Sequence, residues 1–254
     1  MGRLLVTCVL IAVTCAGCGP QPASPTASPT ATSTLATSTP TPAKDGTGES
    51  NDMTYRVTTT SIKGDSEDGR GTWRTTFGQL AAGDPAVVDS FNGASHAAVM
   101  DQVTVAMDGA SDGTATWSFE STGTVTFRSI AVAQLIIGTL FYGAHPSTQV
   151  GTVVIDSRST DPIMLASLFT DPQAGLDVLA EQSRELLAKD GLDVEAHAPP
   201  ATAESFANWI PTDAGLEIHF QPYQFGSALP AVVTVPWPVI TPLLTPDMAG
   251  LATG

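Results

Sequence analysis

The chain has 254 residues, with Lys+Arg 10 against Asp+Glu 25, so its formal net charge is −15. An apolar fraction of 42% is enough to build a core, so the chain as a whole is not disordered. The acid excess argues against a nucleic-acid face, and against docking on anionic headgroups through a basic patch.

The first residues, Met1-Gly2-Arg3, carry one basic side chain, and an apolar run from Leu4 to Thr14 follows. A run of about a dozen is a signal-peptide core and falls short of the roughly 20 residues of a membrane span. It ends in Cys15-Ala16-Gly17-Cys18, which resembles a bacterial lipoprotein signal. Ala16 and Gly17 are the small residues that the peptidase pocket requires, and Cys15 stands where Leu is usual. Residues 1–17 are therefore read as a lipoprotein signal peptide. Cys18 is the expected lipidation site, which would carry palmitate-class acyl chains and tether the protein to the extracytoplasmic face of the cell membrane. The three cysteines, Cys8, Cys15 and Cys18, all lie in this leader, so the exported body has no disulfide and no thiol nucleophile.

Residues 18–52 are rich in Pro, Ser, Thr, Ala and Gly and have no apolar period, which predicts a disordered tether. Repeated proline favours an extended polyproline path of about 3.1 Å per residue.

From Met53 the pattern becomes alternating and amphipathic, and nearly all of the acid excess lies here. Tyr55 to Ile62 and Thr72 to Phe77 read as strands around the Asp68-Gly69-Arg70-Gly71 turn. Asp84-Pro85 opens a helix, with Val87, Val88, Phe91, Ala98 and Val103 on one face. Asn92-Gly93 is a weak point where that helix bends or starts late. Thr114 to Glu120 and Thr124 to Gln134 read as strands around a Ser121-Thr122-Gly123 hairpin turn. Leu135 to Tyr142 is a central strand by its apolar run, and Gln149 to Ile155 continues the sheet. Asp171-Pro172 starts the clearest helix, striped by Leu176, Leu179, Leu186 and Leu187 and ended by Asp190-Gly191. A short helix is predicted over Thr202 to Asn208, and late strands over Leu216 to Phe220 and Val232 to Val235. The segment from Pro238 to Gly254, which includes the tail, 241–254, is expected to add at most one turn. Strands in runs with few helices predict an α+β fold. It is a mostly antiparallel sheet with one long and one or two shorter helices packed against it, divided into an N-terminal part, 53–124, and a C-terminal domain, 125–240.

Two stretches carry a family resemblance. The first is Tyr142-Gly143-Ala144-His145-Pro146, then Val153-Val154-Ile155-Asp156 and Leu165-Ala166-Ser167-Leu168-Phe169. The second is Phe206, then Thr212-Asp213-Ala214-Gly215-Leu216-Glu217-Ile218-His219-Phe220, Pro222-Tyr223 and Val233-Thr234-Val235-Pro236. In this order, from about Val125 to Ile240, they resemble the RsiV-like C-terminal domain, the domain of unknown function 3298 (DUF3298). That domain is found in the ectodomain of a lysozyme-sensing anti-sigma factor and in a secreted mycobacterial antigen. The resemblance implies an extracytoplasmic domain that is usually not catalytic; an anti-sigma role is not carried over.

Catalytic motifs are not visible: no Gly-x-Ser-x-Gly elbow, no His-Glu-x-x-His helix and no phosphate-cradling loop. The histidines His96, His145, His197 and His219 are dispersed, so no metal site and no cofactor are expected. His145 lies in a turn between apolar strands, where it either caps backbone groups or takes part in binding or catalysis. His219, between Ile218 and Phe220, is expected to face solvent. Tyr142, Tyr223 and Phe225, with His145, are the candidate binding residues, either core or the rim of a groove. The sequence thus supports an exported, lipid-anchored, non-enzymatic binding domain of the cell envelope. Its partner would be an envelope protein, a wall polymer or a basic host protein such as lysozyme, and not nucleic acid. The alternative is a secreted esterase or other hydrolase acting on envelope or lipid acyl groups.

Overall fold

The structure is a computed structural model, and it describes residues 45–253 except 112, 145, 226, 228 and 229. The expected signal peptide, the expected lipidation site Cys18, most of the expected tether and His145 lie outside the described residues.

Six strands form the larger sheet in chain order: β1 (Gly46–Ser50), β2 (Met53–Asp65), β3 (Gly71–Ala82), β4 (Trp117–Arg128), β5 (Ala131–Phe141) and β6 (Ser147–Asp156). Every neighbouring pair is antiparallel except β3 and β4, which run parallel because helix α1 (Pro85–Gly109) crosses over between them. A smaller antiparallel sheet holds β7 (Trp209–Pro211), β8 (Gly215–Phe220) and β9 (Ala231–Pro236). Three further helices are α2 (Pro172–Lys189), α3 (Val194–His197) and α4 (Trp237–Ile240). The architecture is the expected α+β class. No helix among the described residues is long and apolar enough to cross a membrane.

Helix α1 starts where its sequence says it should. The Asp84 carboxylate accepts from the backbone N–H of Ala86 at 2.8 Å and of Val87 at 3.3 Å, and Pro85 supplies a fixed φ at the first position. Val87, Phe91, Ser95, Val99, Gln102, Val103 and Ala106 form its buried stripe against the larger sheet. The helix starts at Pro85 and runs without a break through Asn92-Gly93. Asn92 instead accepts from Leu80 N–H at 2.8 Å and donates to Leu80 C=O at 2.9 Å, so its amide completes a strand ladder and pins α1 to β3.

Four sequence expectations are corrected in this sheet. Residues 46–50, read as tether, form strand β1 along β2, because backbone pairing needs no apolar side chain. Ser121-Thr122-Gly123 is no turn: β4 passes straight through, and the chain reverses at Ser129-Ile130 between Arg128 and its partner Ala131. Gly123 is there for room, since a Cβ would sit 3.0 Å from Phe77 Cβ and 3.0 Å from the Gln134 amide carbon. The expected strand 124–134 spans the end of β4, the reversal and the start of β5, and β5 runs on through the expected strand from Leu135 to Phe141. The sheet therefore runs unbroken across the expected boundary at 124/125.

One face of the sheet packs on Val87 and Phe91 of α1 through Tyr55, Val57, Leu80, Val132 and Ile155. The other face, at Ala131, Ala133 and Val154, carries a second layer built from α2 and the smaller sheet. Small alanines on β5 let that layer approach. Leu176, Leu179 and Leu187 of α2 meet Leu216, Ile218, Val233 and Val235, all buried. Each such side chain contributes about 1.5–3 kcal/mol when withdrawn from water. The cap and stop of α2 are those expected, with the Asp171 carboxylate accepting from Gln173 and Ala174 N–H and Asp190 at the C-terminus.

The second layer brings three corrections. The helix expected over 202–208 is a single 3-10 turn, Glu204–Phe206. His219 is buried at 6% exposure, not solvent-facing, because β8 is the middle strand of its sheet and is covered on both faces. Its Nε2 lies 2.7 Å from Glu217 Oε1, two residues away on the same strand face. The tail holds more structure than one turn: 3-10 turns at Thr241–Leu243 and Pro246–Ala252 follow α4, and Leu251 is fully buried.

Candidate functional site: an open edge of the larger sheet

The aromatic residues singled out in the sequence are not assembled into one rim. Tyr142, just past β5, is half-buried against the cluster that contains Trp117 and Phe119. Phe225 is a core residue of the second layer, 3% exposed and edge-to-face on Phe220 with centroids 5.0 Å apart. Its burial removes it as a contact residue. Tyr223 is 61% exposed on a turn, at φ 67, with its N–H bonded to Ser227 C=O at 2.6 Å. Among the described residues no serine hydroxyl is hydrogen-bonded to an imidazole; His219 is paired with Glu217 and His197 lies 3.9 Å from Asp193.

The site that the fold does build lies along β6, an edge strand. Antiparallel ladders alternate, so every second residue of β6 turns both backbone groups away from β5. Three hydrogen-bonded contacts identify the outward set. Val150 N–H donates to the Gln221 side chain at 3.2 Å, and Val150 C=O accepts from the same amide at 2.9 Å. Val154 C=O accepts from Ile163 N–H at 2.9 Å. Asp156 N–H donates to Asp161 C=O at 2.9 Å. Gln221 thus stops the edge at one end, and residues 161–163, folded back antiparallel to β6, stop it at the other.

Thr152 lies between these stops. By the same alternation its N–H and C=O point outward, as does the N–H of Val154, and none of the three has a partner among the described residues. Unpaired edge groups are the feature that proteins normally cover or blunt. Here they line a cleft of about 570 Å³ between the two layers. One wall is α1, through Ala94, Ala97, Ala98 and Asp101. The opposite wall is Ala203, Glu204, Ala207 and Trp209, and Ile163, Met164 and Leu165 lie at the 163 end. Met164 is 67% exposed there. Among the described residues, the charged side chains lining the cleft are Asp101 and Glu204, one on each wall. The Glu204 carboxyl is held below its ordinary value by its own backbone N–H and the Thr202 hydroxyl, so it is ionised at neutral pH.

The stop at 161–163 is held firmly. The turn before it places Thr160 at φ 69, a left-handed conformation that a β-branched residue adopts only when its surroundings impose it. Thr160 N–H donates to Asp156 C=O at 2.8 Å, and Thr160 C=O accepts from Ser90 Oγ on α1 at 2.7 Å. Burial pushes the Asp156 carboxyl up, but hydrogen bonds from the Arg158 side chain and backbone, the guanidinium charge and the Ser159 N–H outweigh it. The group sits below the usual aspartate value. Arg158 also donates to Asp247 C=O at 2.9 Å, tying this turn to the C-terminal segment.

None of the cleft residues was read as a site in the sequence, although Ala98 was placed on a helix face and Val153-Val154-Ile155 and Leu165-Ala166 carry the family resemblance. The strand over Gln149 to Ile155 and Ala98 on the helix face were visible there. An edge is a property of sheet order, which no local pattern displays.

No family model matches the sequence, and no curated protein matches it. Comparison of folds finds more. A DUF3298 family protein from Pseudomonas aeruginosa PAO1 superposes with a TM-score of 0.54 at 13% identity, over 79% of this chain and 96% of its own. A member of the same family from Bacteroides fragilis NCTC 9343 gives 0.55 at 12% identity, over 78% and 97%. The chain has the DUF3298 fold. At these identities the likeness shows the fold alone. It extends beyond the 125–240 stretch that carries the motifs, which agrees with a larger sheet that begins well before residue 125.

Proposed function

We propose that this chain is a binding domain of the cell envelope, exported and held on the extracytoplasmic face of the membrane by acylated Cys18, which captures a protein ligand rather than transforming a substrate. The observation that carries the reading is the open stretch of β6 inside an apolar cleft, since unpaired main-chain groups between two stops offer directional hydrogen bonds to another chain. The charge of −15 favours a basic ligand, of which lysozyme is one example, by accelerating encounter. The lipoprotein signal supports the location.

Location is tested in cells. The full-length chain is expected in the membrane pellet and is digested when protease is added to intact cells. Cys18→Ala shifts it from the pellet into the medium. Retention of Cys18→Ala in the pellet, or protection of the wild-type body from external protease, contradicts the anchored, outward-facing placement.

A further inference from the structure

We infer that the β6 cleft receives an extended peptide segment with two adjacent basic side chains, which adds as a short strand beside Thr152. This rests on the binding-domain reading above and names the class of its ligand. The hydrogen-bonding capacity sets the length. Thr152 N–H and C=O would pair with one guest residue, and Val154 N–H would take a second guest carbonyl. Gln221 and the segment 161–163 prevent the guest from pairing further in either direction. The guest strand therefore makes few main-chain bonds, and the cleft walls must supply the rest.

The walls set the side-chain pattern. Successive residues of a strand point to opposite sides, so neighbouring guest residues face α1 and the Glu204 wall in turn. Each wall bears one carboxylate, Asp101 on α1 and Glu204 opposite, and among the described residues the lining includes no Lys, Arg or His. A basic residue followed directly by another meets both. The positions flanking the pair lie over alanines and Trp209, where the small lining leaves room for branched apolar side chains. A glycan lacks the alternating N–H and C=O that this edge complements, so the segment is a peptide.

The test uses purified full-length protein and an acetylated six-residue peptide with a lysine–arginine pair between two valines and threonines at its ends. A second peptide carries a glutamate–aspartate pair instead. The basic peptide is expected to bind saturably, to slow exchange of the Thr152 and Val154 amides, and to lose affinity as salt rises. The acidic peptide is expected to bind about tenfold more weakly or not at all. Asp101→Asn and Glu204→Gln are each expected to weaken the basic peptide by about threefold and to flatten its salt dependence. Thr152→Pro removes the outward N–H at an edge position, where proline is tolerated, and should weaken binding by about tenfold with the melting temperature little changed. Equal binding of the two peptides, or bound peptide that leaves Thr152 exchange unchanged, overturns the inference. Exchange is read in the wild-type protein, so the test stands even where Thr152→Pro fails to fold. Failure of both peptides removes this ligand class while the Cys18 experiment still decides the anchored reading; failure of anchoring leaves this result intact.

Discussion

Gly215→Ala is expected to destabilise the protein by about 3 kcal/mol or more, at the upper end of what overpacking causes. For a domain of this size that lowers the melting temperature by roughly 6–12 °C. Gly215 opens β8, and a Cβ there would lie 2.1 Å from the Val235 carbonyl oxygen and 2.9 Å from Pro236 Cα. Both are backbone atoms of the paired strand, so no side chain can rotate out of the way; β8 and β9 must separate. Leu216 and Val235, fully buried beside this point, would move with them. Gly93→Ala is the control. A Cβ at that position of α1 meets nothing within 4 Å, and exchanging a helical glycine for alanine is worth about 1 kcal/mol of added stability. Thermal melts of the two variants should therefore shift in opposite directions. A neutral Gly215→Ala would mean that β8 and β9 are not paired in this register.

Arg128→Ala is expected to cost about 2–3 kcal/mol, whereas Asp213→Asn costs under about 1 kcal/mol. Arg128 ends β4 with its side chain only 4% exposed. It donates to Leu251 C=O at 3.1 Å and to the Asp213 carboxylate in the turn before β8. One guanidinium thus joins the larger sheet, the smaller sheet and the C-terminal turn. Its removal leaves a void and an unpaired carbonyl beside fully buried Leu251. Asp213, in contrast, has a 99% exposed side chain, so water takes over when its charge is deleted. Chemical denaturation of the two variants measures the difference. Equal losses would show that the ion pair itself, rather than the buried donor and its packing, holds these three elements.

The parts of this fold that the sequence displays are those fixed by neighbours in the chain. Asp84-Pro85 and Asp171-Pro172 cap their helices through their own side chains, so both starts can be read directly. Leu176, Leu179 and Leu187 of α2 recur at the helical period and are buried as expected, while Leu186 is half-buried. What failed was set by distant contacts. Ser121-Thr122-Gly123 has turn chemistry, but Gly123 is needed where Phe77 and Gln134 crowd β4. His219 alternates with two apolar residues, yet β8 is the middle strand of its sheet and is buried on both faces. Asn92 looks like a helix breaker until the backbone of Leu80 is beside it. The cleft was hidden for the same reason: Thr152 matters because β6 has no seventh strand beside it, and the order of strands follows from the crossover of α1 and the return of residues 161–163.

Residue-resolved amide exchange on the free protein tests the open edge most directly. Val153 and Ile155 point their N–H groups into the ladder with β5, whereas Thr152 and Val154 point theirs into the cleft. The Thr152 and Val154 amides are predicted to exchange faster than those of Val153 and Ile155 by about a hundredfold or more. Protection of Thr152 equal to that of Val153 would mean that the strand edge is already covered, and that β6 offers no place for another chain.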